Sequence, residues 1–576
     1  MRISILALAA GLTLVPAGSS PAAAEPDLIL HHGRVVTVDA TFSVRQAIAV
    51  AGNRITAVGS DAAILALKGP KTAVVDLGGK MVLPGLIDSH VHPGAAMTEF
   101  AHPVPDMETI PDVLSYVRAR AQALPPGHWI EVSQVFITRL REQRYPTRAE
   151  LDQAAPRNPV IFSTGPDASL NSLALTLSGI DRNFQVNDGG AGFVEREPRT
   201  GEPTGILRNC TRFVKVRRNG KTPTAEDYYG RTRQLFADYN SVGLTTVCDR
   251  DASPAAIARY QTLLARGDLT VRLAISQHID TLGPIAEVQR RIRAVAASPL
   301  RAPNPWLRII GIKTFLDGGM LTGSAYLRQP WGVSLIYAIN DPTYRGVLFI
   351  PKDRLRAIVQ TTVACGLQFT AHSVGDGAVQ TLVEVYDEVN RTRPIRATRP
   401  CITHANFMSP EAIARLPQLG VSVDVQPVWL YLDAGTLVKQ FGYERLRDFQ
   451  PWRSVFMAGA ISGGGSDHMQ KIGSLRSINP YNPFLGMWTA ITRRARWYAG
   501  QLHPEQALTR EQAIRLYTAN NAYLLFLDRQ VGSLEPGKLA DLIVLDTDLL
   551  RCPEEAIRHA RVLQTYLDGK RVFDRR

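Results

Sequence analysis

Short apolar runs separated by turn residues occur near both ends of the chain. In the first part of the sequence they lie between residues 27 and 83, and in the last part they cover 540–546 and 561–573. Such runs, bounded by glycine, asparagine and aspartate, are typical of β-strands. We predict one small β-sandwich domain built from both chain ends, residues 25–84 and 529–576.

The middle of the chain alternates strand-like apolar runs with helical patterns. The runs are Leu244–Cys248, Val271–Ile275, Arg308–Lys313, Gln368–His372, Cys401–His404, Val421–Val425 and Ala460–Gly463. Alternating strands and helices predict a parallel sheet. Seven or eight such units, with polar residues at the strand ends, fit a (β/α)8 barrel. We therefore predict an α/β fold, with a TIM-like barrel over residues 85–528.

The segment from about residue 95 to 240 is too long for a single crossover between two barrel strands. Helical patterns occur within it at Ile110–Leu124 and Ala225–Asn240. We predict an insertion in the barrel after its first strand.

The first 24 residues have the pattern of a secretory signal peptide. Met1-Arg2 is a positive start, Ile3–Val15 is apolar, and Ala22-Ala23-Ala24 offers a cleavage site of small residues. The apolar run is too short to span a bilayer. The sequence thus predicts a periplasmic or secreted protein without a membrane anchor.

The formal net charge is +13, from 65 lysines and arginines against 52 acidic residues. These cations are scattered, whereas nucleic-acid binding favours a concentrated basic patch, so we expect no nucleic-acid partner. The five cysteines are widely spaced and contain no C-x-x-C pair, which argues against a zinc ribbon or a disulfide framework. A small molecule is the expected partner.

The most informative local feature is the pair His90 and His92, which follows the apolar run Val82–Asp88. Two residues apart on a strand, their side chains point to the same side. Two imidazoles converging at a strand end can hold a divalent cation. The spacing alone also fits two loop histidines. A metal site therefore needs further candidate ligands elsewhere in the chain.

The run Pro84–His92 resembles the first-strand signature of the amidohydrolase superfamily, and Val531–Asp546 resembles its C-terminal signature. The middle of the chain is similar to the YtcJ-like branch, amidohydrolase family 3. The supporting runs are Ile312–Gly318, His372–Ala378, Thr403–Ala405 and Gly465–Asp467. The resemblance extends over nearly the whole chain after residue 24.

The resemblance implies a centre with one or two Zn²⁺ ions, or other divalent metals, at the mouth of the barrel. Its implied ligands are His90, His92 and Asp467 for the first ion, His372 and His404 for the second, and a carboxylated Lys313 between them. Lys313 ends an apolar strand, where a free ammonium group is poorly placed. The alternative is a lysine whose ammonium group extends to solvent.

The implied activity is hydrolysis of a non-peptide or peptide-like C–N bond, an amide, with Asp467 as the proton shuttle. Hydrolysis of a lactone or a phosphoester on the same centre is one alternative. A non-catalytic periplasmic solute-binding protein is another, but it would not require six potential ligands at strand ends.

The sequence departs from the family at Pro166, where members often carry a histidine associated with the substrate pocket. The neighbouring Asp167 is a candidate substitute. Because the histidine is absent at position 166, the resemblance does not indicate the substrate.

Overall fold

The computed structural model describes residues 25–133, 135–217 and 222–575. The predicted signal peptide, residues 1–24, lies outside these ranges, so the signal peptide and export remain predictions. Within these ranges, no helix combines the length and the apolar character needed to cross a bilayer.

Eight parallel strands form the barrel, with each strand beside its neighbour in sequence order. Barrel strands 1 to 8 are Leu86–Val91, Leu244–Ala252, Arg272–His278, Leu307–Phe315, Gln368–Ser373, Cys401–His404, Ser422–Val425 and Ser462–Gly464. The predicted (β/α)8 barrel is confirmed. Because all the strands run in the same direction, their carboxyl ends meet at one face, where barrel enzymes place their active sites.

The barrel closes between strands 8 and 1 through the turn that follows strand 8. His468 forms a parallel bridge with Val91. The backbone N–H of Asp467 donates to the carbonyl of His90 at 2.8 Å, and that of His92 donates to the carbonyl of His468 at 2.7 Å. The two ends of the predicted metal motif therefore lie at this seam.

Eleven α-helices come after barrel strand 2 in the described part of the chain. They are Pro254–Arg266, Ile285–Ala296, Lys352–Ala364, Asp376–Thr392, Pro410–Leu419, Pro427–Phe441, Trp452–Met457, Pro483–Thr492, Arg510–Leu516, Ala519–Leu524 and Glu554–Ile557. Local sequence fixes their ends. Ser253 caps the first helix by accepting from the backbone N–H of Ala256, and Gly267 ends it in the left-handed conformation that glycine adopts readily.

Both chain ends build the β-sandwich domain, as predicted. Its four-stranded sheet contains Leu28–His31, Ala47–Ala51, Arg54–Gly59 and Ala73–Asp76, and a short helix, Asp61–Leu65, follows the third of these strands. The six-stranded sheet contains Arg34–Val36, Val44–Arg45, Met81–Pro84, Leu542–Leu545, Val562–Leu567 and Lys570–Asp574. Val82 pairs with Val544 in this sheet. Buried apolar residues of both sheets, including Leu30, Ile48 and Leu542, form one core.

The insertion follows barrel strand 1 and contains a five-stranded sheet. The strands are Ile130–Val132, Val160–Ser163, Ala168–Leu170, Phe193–Arg196 and Pro203–Arg208, and the helices are Ile110–Ala123, Arg148–Ala154, Ser172–Ser178 and Ala225–Ser241. Both helices expected from the sequence are present. The sheet was not predicted, because its strands have only three to six residues and show too few alternations to stand out.

Candidate metal centre

One cavity of about 890 Å³ opens at the carboxyl ends of the barrel strands. All six residues predicted as ligands line it: His90, His92, Lys313, His372, His404 and Asp467. His90 lies in strand 1, His92 directly follows that strand, and the next three come from strands 4, 5 and 6. Asp467 lies three residues beyond the end of strand 8, in the closing turn. The barrel thus brings together residues that are up to 377 positions apart in the sequence.

His90, His92 and Asp467 form the tightest group of potential ligands. Oδ1 of Asp467 lies 3.2 Å from Nε2 of His90 and 2.9 Å from Nε2 of His92. One ligand atom from each of the three residues lies within 4.8 Å of the others. Among the described residues, this is the group whose geometry suits a single cation.

His372 and His404 form the second group. Their ring centroids are 4.4 Å apart, and the ring of His404 lies 5.0 Å from that of His90. Lys313 is buried on the same cavity wall, with Nζ 5.2 Å from the centroid of the Phe315 ring. The two groups are therefore adjacent.

The hydrogen bonding of His90 tests whether these residues fit a metal ion. Both of its ring nitrogens are buried, and neither makes a hydrogen bond. Nε2 contacts Asp467 and Nδ1 contacts Asp424, both at 3.2 Å, without hydrogen-bond alignment. A buried polar atom without a partner costs about 1–3 kcal/mol. An ion bound to Nε2 would remove that cost, and imidazole and carboxylate are ligands that zinc accepts.

The electrostatics favour the neutral imidazole, the form that binds metals, at three of the four candidate histidines. Burial, and next the charge of Lys313, lower the pKa of His372 to about 3. Burial is also the main cause that lowers the pKa of His90 and of His404 well below the usual value. At His92, burial lowers the pKa, but the hydrogen bond and charge of Asp467 outweigh it and raise the pKa. Burial lowers the pKa of Lys313.

The backbone at the centre is strained. Asp467 has a φ of 54°, His404 of 74° and Ala405 of 46°, all in the left-handed region. Such a conformation costs non-glycine residues about 1–3 kcal/mol each and persists only when the surroundings impose it. Here the N–H of Ala405 donates to the carbonyl of Ser373 at 3.0 Å, which ties the end of strand 6 to that of strand 5.

The sequence analysis did not identify a group of polar residues next to the candidate ligands. Asp424 and Gln426, at the end of strand 7, are fully buried, as are Ser89 of strand 1 and Arg250 of strand 2. Burial raises the pKa of Asp424 to about 6, although Arg250 opposes the shift. A signal was present in the sequence, because polar residues at 422, 424 and 426 alternate with valines. This pattern places the polar residues on the interior face of the barrel.

Two nearby histidines face other partners. Nδ1 of His468 lies 2.8 Å from the hydroxyl of Tyr239. Nδ1 of His278 lies 2.8 Å from Oδ1 of Asp251, a carboxylate on the cavity wall. Proximity to the centre therefore does not make every histidine a ligand.

Pro166 lines the cavity together with Gly165. Asp167 is fully buried and accepts hydrogen bonds from the hydroxyls of Thr322 and Ser324 and from the backbone of Asn209. It holds the insertion against the loop after strand 4. Asp167 is not among the residues that line the cavity, so it does not replace the missing histidine there.

Comparison with known proteins agrees with this architecture. The model of the amidohydrolase family matches residues 73–573. The N-substituted formamide deformylase of Arthrobacter pascens is 29% identical over 563 residues, which cover 95% of this chain and 98% of the relative. The putative amidohydrolase YtcJ of Bacillus subtilis (strain 168) is 22% identical over 517 residues, covering 88% of this chain and 91% of the relative.

The fold also has solved counterparts. An uncharacterized metal-dependent hydrolase from Pyrococcus horikoshii OT3 has a TM-score of 0.65 and 21% identity, and the match covers 92% of this chain and 99% of the other. The resemblance recognised in the two terminal signatures is confirmed by the family match, which extends from the β-sandwich through the barrel and back into the sandwich. This chain belongs to the amidohydrolase family.

Proposed function

We propose that this protein is a metal-dependent hydrolase that cleaves an amide C–N bond of a small molecule. The observation that carries the proposal is the convergence of His90, His92 and Asp467, with ligand atoms within 4.8 Å of one another, on the wall of a cavity of about 890 Å³. A cavity of that size suits a small ligand. The family match supports hydrolysis as the reaction class.

Zn²⁺ is the proposed metal, as one ion or two. His90, His92 and Asp467 would hold the first ion, and His372 and His404 the second. Lys313, carboxylated on Nζ, would bridge them, because a carbamate replaces a buried ammonium group with anionic oxygens. Its burial near the carboxyl end of strand 4, on the same wall as the five other residues, supports this role.

A bound Zn²⁺ supplies Lewis-acid chemistry, since it lowers the pKa of water toward about 7 and polarises a carbonyl group. Asp467 would act as general base and then as general acid. Its carboxylate would take the proton of the attacking water and deliver it to the leaving nitrogen, which leaves as an amine. The hydrogen bond from Nδ2 of Asn479 to the carbonyl oxygen of Asp467, at 2.6 Å, holds the residue in the closing turn.

For the substrate, we propose only the type of bond that is cleaved, an amide. The relative from Arthrobacter pascens is named as a deformylase of N-substituted formamides, which supports an amide rather than an ester. The cavity wall contains several aromatic and sulfur-containing side chains beyond the metal centre: Met97, Tyr116, Phe136, Tyr228, Phe315, Trp429 and Met469. An apolar substituent on the amide would fit this wall.

The test is activity profiling of the zinc-reconstituted protein on N-formyl amines, N-acyl amino acids, dipeptides and cyclic amides, with lactones and phosphoesters as comparison substrates. We expect hydrolysis of at least one amide class, lost on chelation and restored by Zn²⁺. Turnover of a lactone or phosphoester alone would contradict the proposed bond. Absence of any zinc-dependent turnover, together with absence of bound zinc, would contradict the metal centre itself.

A further inference from the structure

Asp424 lies at the centre of a buried polar network directly beside the candidate ligands. Its Oδ1 accepts a hydrogen bond from the hydroxyl of Ser89 at 2.6 Å and from Nε2 of Gln426 at 3.2 Å. Its Oδ2 lies 3.2 Å from Nδ1 of His90 and 3.5 Å from Nε of Arg250. An ionised carboxylate only accepts hydrogen bonds. Ser89, Gln426 and His90 can each donate to it, and Arg250 contacts it as a cation.

Through Gln426, this network reaches the second group of ligands. Because Nε2 of Gln426 donates to Asp424, its Oε1 is left as an acceptor. That oxygen lies 2.7 Å from Nδ1 of His404. Because the oxygen can only accept, Nδ1 of His404 is protonated and donates to it. The lone pair of His404 is then on Nε2. Asp424 thereby fixes both the orientation of the Gln426 amide and the tautomer of His404.

On the other side, Asp424 faces His90 directly. Oδ2 of Asp424 and Nδ1 of His90 are both buried, and neither makes a hydrogen bond with any described residue. They lie 3.2 Å apart, which is close enough for Nδ1 of His90 to donate a hydrogen bond to Oδ2 of Asp424. A proton on Nδ1 directed at this carboxylate leaves the lone pair of His90 on Nε2, the atom next to Asp467.

Arg250 supplies the counter-charge. It is fully buried, with its guanidinium held by the carbonyl of Ser89 at 2.9 Å and the side chain of Gln368 at 2.7 Å. A buried carboxylate without a cation would be costly. The position of Arg250 on strand 2 therefore keeps Asp424 available as an acceptor inside the barrel.

We propose that Asp424 is a positioning residue that directs the Nε2 lone pairs of both His90 and His404 toward the metal centre, through direct contact with His90 and through Gln426 to His404. This inference rests on the proposed function, since it requires that the two histidines bind metal. It assigns a role to three residues that are not ligands: Asp424, Gln426 and Arg250. Partners of this kind typically change metal affinity 10- to 100-fold.

The test is the zinc affinity of Asp424→Asn, measured in the full-length chain by competition with a chelating indicator. Asparagine keeps the size of the side chain but offers one oxygen where aspartate offers two. It cannot accept from Ser89 and Gln426 on one side and from His90 on the other. We expect zinc to bind 10- to 100-fold more weakly.

A matched control is Asp541→Asn. Asp541 is also buried and paired with an arginine, accepting from Nε of Arg272 at 2.6 Å. It contacts the start of barrel strand 3, at the face opposite the cavity. We expect lower stability in this variant and unchanged zinc affinity. The visible absorption of Co²⁺-loaded protein is a second readout, and we expect it to change in Asp424→Asn and not in Asp541→Asn.

Gln426→Met keeps the inference testable if Asp424→Asn does not fold. Methionine has a similar length, but its sulfur is only a weak acceptor for Nδ1 of His404 and it cannot donate to Asp424. We expect zinc binding to weaken at least 10-fold. If a folded variant, Asp424→Asn or Gln426→Met, binds zinc within threefold of the wild-type affinity, this inference is wrong. The proposed metal function would still stand. Failure of the wild-type protein to bind zinc would overturn the proposed metal function, and this inference with it.

Discussion

Asp467 combines a left-handed backbone with contacts to two histidines. Its φ is 54°, and its Oδ1 lies within 3.2 Å of both His90 and His92. An aspartate that were only part of a turn would gain nothing from this arrangement. The strain is consistent with a position held for chemistry rather than for stability.

Asp467→Asn is expected to lower kcat by a factor of about 10²–10⁴, the usual contribution of a general acid–base. The amide cannot take a proton from water or return it to a leaving nitrogen. Steady-state kinetics on the best amide substrate, with zinc content measured on the same sample, checks this. Asp546→Asn, which alters a surface pair with Arg561, should leave kcat unchanged. Wild-type turnover by zinc-loaded Asp467→Asn would disprove the shuttle role.

Lys313→Met separates a bridging ligand from a lysine with no role in metal binding. Methionine is uncharged and of similar length, so the variant cannot form a carbamate. We expect less zinc per chain by elemental analysis. We also expect the metal-free variant to be at least as stable as wild type in denaturant, because burying an ammonium group is costly. Unchanged zinc content would be incompatible with the bridge.

At the scale of elements, the turn after barrel strand 8 depends on small residues. A Cβ added to Gly465 would lie 2.8 Å from the backbone nitrogen of His90 and 2.9 Å from its Cβ. Contacts this short force the two segments apart. Strand 8 can therefore approach strand 1 closely enough to bring Asp467 to the histidines only if glycine occupies this position.

Gly465→Ala is thus expected to weaken zinc binding and to lower kcat/KM at least tenfold, without abolishing folding. Zinc competition and steady-state kinetics measure the two effects. The control is Gly230→Ala in the helix Ala225–Ser241, where an added Cβ meets no heavy atom within 4 Å. Equal zinc affinity in the two variants would show that the close approach does not shape the centre.

The barrel strands could be predicted from sequence, and so could the shared location of the six candidate ligands, because polar residues at the ends of parallel strands meet at one face of a barrel. His90, His92, Lys313, His372, His404 and Asp467 all line one cavity. The support around them could not be inferred in the same way. The role proposed for Asp424 and Gln426 depends on contacts with residues on strands 1, 2 and 6, which the sequence does not show. The left-handed backbone of His404 is not indicated by its residue type either.

At the scale of the whole molecule, a buried ion pair joins the barrel to the β-sandwich domain. Arg272, the first residue of barrel strand 3, donates to Asp541 at 2.6 and 2.8 Å and to Asp568 at 3.0 Å. Arg272 is fully buried. The two units are therefore joined by a buried polar contact.

Arg272→Met is expected to lower the free energy of unfolding by about 3–5 kcal/mol, because it leaves the buried carboxylate of Asp541 without its cation. Denaturant titration of the metal-free protein measures this loss. Zinc affinity of the folded fraction should stay at the wild-type value, since the pair lies at the face opposite the cavity. Loss of zinc affinity in proportion to stability would mean that the two faces are coupled.

The six-stranded sheet has a consequence for the order of folding. Met81–Pro84 leads directly into the strand that carries His90, yet it pairs with Leu542–Leu545, more than 450 residues later in the chain. During synthesis this edge of Met81–Pro84 stays unpaired until residues 542–545 have been made. Pairing at such long sequence separation is slow to form. A strand more than 450 residues later thus completes the sheet from which the strand that carries His90 extends.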